Sequence, residues 1–107
     1  MADTFLSPQQ LNPPAGVLST LYTATASTVI STFTVCNTGG SPATFSMSIA
    51  VNGAADTLSQ YIYSGVSIPA KTTFAATLGI SIKTDDVVKV SASSPLLAFN
   101  LFGVQVA

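Results

Sequence analysis

The chain has 107 residues, of which 48% are hydrophobic and only 7% are charged, with a net charge of −1 at pH 7. That length favours one domain with a modest core, and the charge content is far below the roughly 25% usual in soluble domains. Three lysines and no arginine argue against a nucleic-acid partner, which needs several cations to displace phosphate counterions, and against an anionic membrane surface.

Residues 1–16 stand apart. "SPQQLNPPAG" carries Pro8, Pro13 and Pro14, and paired prolines favour extended backbone. Phe5, Leu6 and Leu11 follow no helical or strand period, so this stretch is expected to be an extended arm that docks those three side chains on a partner.

From residue 17 to 107 the pattern is that of strands. "LSTLYTA" is a short one. "TVISTFTVC" is rich in β-branched residues, with Val29, Phe33 and Val35 expected on one face. "ATFSMSIAV" alternates throughout: Ala43, Phe45, Met47, Ile49 and Val51 face in, and Thr44, Ser46, Ser48 and Ala50 face out. "SQYIYSG" puts Tyr61 and Tyr63 on a shared face. "TTFAATLGISI" turns Phe74, Ala76, Leu78, Ile80 and Ile82 inward, and "DDVVKVSA" buries Val88, Val90 and Ala92 with Lys89 outside. In the last segment Leu97, Phe99 and Leu101 share a face. A bulge near Gly103 would be needed to bring Val104 and Val106 back to it. Turn residues separate these runs at "NTGGSP", "NGAAD", "IPAK", "KTDD" and "SSP". About seven strands broken every 8–12 residues or so predict an all-β, antiparallel sandwich of jelly-roll or Greek-key type.

Candidate chemistry is sparse. No His, Glu, Arg or Trp is present, so the usual general base and the phosphate clamp are missing. Asp85 and Asp86 form the one adjacent acid pair, but neighbours on a strand point to opposite faces and calcium needs more oxygen ligands. They are read as a turn, with Lys71, Lys83, Asp85 and Asp86 at strand ends, exposed or at an assembly rim. Cys36 has no His to activate it and is read as a packed thiol, and one cysteine can form no disulfide within the chain. "MADTFLSPQQ" lacks the basic and apolar regions of a signal peptide, so assembly in a reducing cytosol is expected. No catalytic residue, cofactor or metal site is expected. Ser and Thr make up about a quarter of the chain, and a hydroxyl-rich surface with so few charges is poorly protected from association.

In "VCNTGGSPATFSMSIAVNG", "YIYSGVSIPAKTTFAATLGISIKTDDVVKVSAS" and "LAFNLFGVQV", in that order, the chain resembles a group of small β-proteins of tailed bacteriophages, described as virion structural proteins. "LYT" near residue 21 also fits, so the resemblance spans roughly residues 17 to 106. It implies a non-enzymatic role in the virion, on the capsid or in tail fibres and baseplates, with no catalytic residues to carry over. The chain departs from the group where basic residues would flank the "VCN" turn and enter the next strand: it has Thr38 and Met47. The expectation is a capsid decoration (cement) protein that forms a homo-oligomer, a trimer in its simplest form, and contacts the major capsid protein or other virion proteins. The alternative is a tail-fibre, tail-tip or adhesin module that stacks host glycan on Tyr61 and Tyr63.

Overall fold

The computed structural model describes residues 4–106, apart from the side chains of Ser7 and Leu78. The inward orientation expected for Leu78 therefore lies outside the described residues, as do residues 1–3 of the expected arm. Eight strands run through the described chain: β1 (Thr4–Leu11), β2 (Ser19–Thr23), β3 (Thr28–Asn37), β4 (Ala43–Ala50), β5 (Tyr61–Ile68), β6 (Thr73–Ile82), β7 (Val87–Ala92) and β8 (Leu97–Gln105). Two single-turn 3₁₀ helices, Val51–Gly53 and Leu58–Gln60, lie between β4 and β5.

The strands form two four-stranded sheets, a first of order β1-β8-β3-β6 and a second of order β2-β7-β4-β5. All pairings are antiparallel. The first strand pairs with the eighth, the second with the seventh, the third with the sixth and the fourth with the fifth. Two further pairings, β3 with β8 and β4 with β7, knit these pairs into sheets. The two sheets pack face to face as an all-β sandwich. Seven strands fall on the stretches that alternation marks; the eighth, β1, lies inside the segment expected to be an arm.

The core sits where the alternating residues of the two sheets meet. Phe45, Met47, Val88, Val90, Leu97, Phe99 and Leu101 are all buried. Phe45 is the hub, with its ring centroid 5.1–6.1 Å from those of Phe33, Tyr63, Phe74 and Phe99. Each such ring contributes by leaving water and by tilted contact with its neighbours.

Bulges explain where simple alternation fails. Ser31 is an extra residue in β3 relative to β8, because Ile30 pairs with Gly103 while Thr32 pairs with Phe102. The strand therefore changes parity. Ile30 is buried together with Phe33 and Val35, and Val29, expected beside them, lies on the outer face at 36% exposure. β8 itself runs on without a bulge at Gly103, so Val104 stays outward and half-buried and Val106 is exposed. Gly103 faces the bulged part of β3, where a Cβ would run into the Val29 carbonyl oxygen and come within 3.3 Å of Ile30 Cα. Only glycine lets the two backbones approach this closely. In β4, Ser48 and Ala50 have outward parity yet are buried. Val51, expected inward, is exposed in the 3₁₀ turn that ends the strand, where Asn52 adopts φ 56°.

Polar staples hold the loops. Asn37, 1% exposed at the end of β3, donates to the carbonyls of Ser41 and of Ile68 in the opposite sheet, and accepts from the Gly39 N–H. Asp86, expected to be exposed or at an assembly rim, is buried. Its two oxygens accept the backbone N–H groups of Asn52 and Lys83 at 2.8 and 2.9 Å. Those bonds, foremost the one from Lys83, hold its carboxyl below the usual carboxylate value against the opposing effect of burial.

Candidate interaction surface

The three apolar residues expected to dock on a partner take different positions. Phe5 pairs with Val104, Leu6 with Gly103 and Leu11 with Phe99. Gly103 and Phe99 face the core, so Leu6 and Leu11 turn inward and pack, half-buried, against its rim. Phe5 faces out and is 89% exposed. The register slips between Leu6 and Gln9, a bulge in the stretch that contains Pro8, of the kind that edge strands tolerate. That slip is why Leu6 and Leu11, five residues apart, share a face with no visible period. The link to β2 is fastened as well. Asn12 Nδ2 donates to the carbonyls of Pro95 (2.6 Å) and Leu97 (2.7 Å), and the Gly16 N–H donates to Ala92 O.

Phe5, Val104, Val29 and Ser81 follow one another in register across all four strands of the first sheet. Phe102, Ala98, Thr34 and Cys36 share the outer parity and are half-buried. No charged residue occurs in any strand of this sheet. The lysines and the described acids lie elsewhere. Lys71, at φ 58° in the turn before β6, donates from Nζ to Thr38 O. Lys83, Asp85 and Asp86 belong to the turn before β7, Lys89 lies half-buried within β7, and Asp56 is in the segment before β5. Asp85, at φ 76°, is exposed.

A second feature lies on the other sheet. Met47 pairs with Tyr63 while the next residue, Ser48, pairs with Tyr61, so β5 carries an extra residue at Ile62. The two tyrosines therefore do not share a face, contrary to expectation. Tyr63 enters the aromatic core, its ring 6.2 Å from Phe33 and 5.2 Å from Phe74. Tyr61 lines a surface hollow of about 480 Å³ with Ser46, Asp56, Thr57, Leu58 and Ser64. Its hydroxyl donates to Asp56 Oδ2 at 3.0 Å, and that bond raises the phenol pKa, with burial and the carboxylate charge adding to it. Ser48, across the strands from Tyr61, has a buried hydroxyl with no partner among the described residues. The "NGAAD" stretch carried only a turn signal in the sequence, and Asp56 became a site residue through the fold of residues 51–60.

The sequence matches no model of a known protein family, and no curated protein matches it. Among the described residues no group of three or more His, Cys, Asp or Glu could hold a metal ion, and no helix is long and apolar enough to cross a membrane.

Proposed function

We propose that the chain is a non-enzymatic structural protein of a tailed-phage virion, most concretely a capsid decoration protein that assembles into a small oligomer, a trimer in its simplest form. The observation that carries this reading is the outer face of the first sheet, with no charge in its strands and Phe5 standing out from its edge. Such a face has little to repel a neighbour and gains by leaving water, at about 25 cal/mol per Å² of apolar area. Repetition over many copies then gives firm attachment from modest contacts. Pairing of first strand with last, second with seventh and so inward supports reading the sandwich as a jelly roll, an architecture used by viral capsid and lectin domains. In this reading Phe5 is the anchor, and Leu6 and Leu11 hold its strand in place.

Two measurements test it: the mass of the purified protein in solution, and its presence in virions of the encoding phage by mass spectrometry. An oligomer that is found in virions supports the proposal. A monomer absent from virions overturns it. A tail-tip or adhesin module is the second reading, and with Tyr63 in the core it rests on the hollow around Tyr61.

A further inference from the structure

We propose that the hollow bounded by Tyr61, Asp56, Ser46 and Ser64 is a binding subsite for a neutral pyranose ring. This deepens the second reading by naming a site and a ligand class, and it holds wherever in a particle the chain resides. The hollow, at about 480 Å³, falls within the roughly 300–1,000 Å³ typical of small-molecule sites. It combines the two surfaces that a sugar ring presents. One is a face of C–H groups, for which an aromatic ring is the natural platform. The other is a rim of hydroxyls, which a carboxylate engages through charge-assisted hydrogen bonds.

The polar groups retain capacity. Ser46 Oγ accepts the Gly65 N–H at 3.0 Å, which leaves its own O–H to donate. Asp56 receives the Tyr61 hydroxyl on Oδ2, and a carboxylate accepts several bonds.

The hollow is also held in shape. The Gln60 side chain grips the backbone on both sides of Asp56: its Nε2 donates to Ala55 O at 2.9 Å, and its Oε1 accepts the Thr57 N–H at 3.4 Å. Thr57 and Gln60 complete a capping box on the short helix Leu58–Gln60. The carboxylate is therefore set beside the Tyr61 ring before any ligand arrives, which lowers the ordering cost of binding.

The same geometry sets the selectivity. Asp56 is the one charged residue of the lining, and Lys89, in register with Tyr61 across Ser48, lies two strands away and outside it. Sialic acids, uronic acids and sugar phosphates would bring a like charge to it and are excluded.

The test is a titration of isotope-labelled protein followed by amide chemical shifts. The probes are glucose, galactose, mannose and N-acetylglucosamine, with N-acetylneuraminic acid and glucose 6-phosphate as anionic counterparts. At least one neutral sugar should shift the amides of Ser46, Asp56, Thr57, Tyr61 and Ser64, with a Kd of about 1–10 mM. The anionic sugars should leave these amides in place. Tyr61→Ala should weaken binding by about tenfold or more, and Tyr61→Phe, which keeps the ring, should retain much of it. Should Tyr61→Ala disturb the fold, Asp56→Ala in the exposed segment decides, with loss of the shifts expected. No shift with any neutral sugar, equal response to the anionic ones, or unchanged binding in Asp56→Ala would overturn the proposal. Each outcome is separate from the oligomer and virion measurements above.

Discussion

The Asp86 carboxylate accepts the backbone N–H of Asn52 at 2.8 Å, across 34 positions of sequence. With its bond to the Lys83 N–H, it ties the turn before β7 to the turn after β4. The folded state holds this carboxyl below its ordinary value of 3.8. A depressed pKa contributes stability that is fully present above the unfolded value and is lost as pH falls through the folded one. Stability should therefore be level near neutral pH and decline below about pH 4. Asp86→Asn should cost about 1–3 kcal/mol at neutral pH and flatten that acid decline. Urea midpoints measured from pH 7 to pH 3 check both expectations.

Asn37 joins the end of β3 to the carbonyl of Ile68 in the opposite sheet. Asn37→Ala leaves buried backbone groups without partners and should cost about 2–4 kcal/mol. Thermal unfolding of the variant measures this.

Gly103→Ala would press a methyl group into the Val29 backbone and should destabilise by about 1–3 kcal/mol. Gly40→Ala meets nothing within 4 Å and should stay within about 0.5 kcal/mol of wild type. The two unfolding curves compared under one condition decide.

Phe45 touches rings from both sheets, so Phe45→Ala should cost about 3–5 kcal/mol. Tyr63 donates no hydrogen bond from its hydroxyl among the described residues, so Tyr63→Phe should change stability by less than about 1 kcal/mol. Equilibrium denaturation of both separates ring packing from the hydroxyl.

Phe5→Ser should leave unfolding within about 0.5 kcal/mol of wild type, since the ring is exposed, and should weaken self-association. Leu11→Ala, at the half-buried rim, should lower stability instead. Sedimentation and thermal unfolding of the two variants read the contrast.

How far the sequence could be read depended on where the backbone is regular. In β7 and the first half of β4, side chains alternate without interruption, and Val88, Val90, Phe45 and Met47 are buried as the pattern predicts. In β3 the extra residue at Ser31 exchanges Val29 for Ile30, and in β5 the one at Ile62 separates Tyr61 from Tyr63. A bulge leaves no fixed mark on composition, so parity counted through it is wrong on one side. The same effect hid β1: with a register slip in the stretch that contains Pro8, Leu6 and Leu11 looked aperiodic. Strand order was beyond alternation altogether, because period-two patterning says which face is buried and not which neighbour pairs. Of the candidate interaction surface, the exposed side chain of Phe5 lies in the segment that the sequence singled out. The hollow beside Tyr61 needed residues 46 and 56–64 brought together by the fold.

The position of β8 between β1 and β3 has a consequence for biosynthesis. On a translating ribosome β1 and β3 are both made before β8, the strand that separates them in the sheet. Until residues 97–105 appear, β3 has only β6 beside it in that sheet, and β1 has no partner at all. Phe33 can already meet Phe45 and Tyr63 of the opposite sheet at that stage, but Leu6 and Leu11 still lack the strand they pair with. Closure of the first sheet therefore waits on β8 rather than on the speed of any local hairpin.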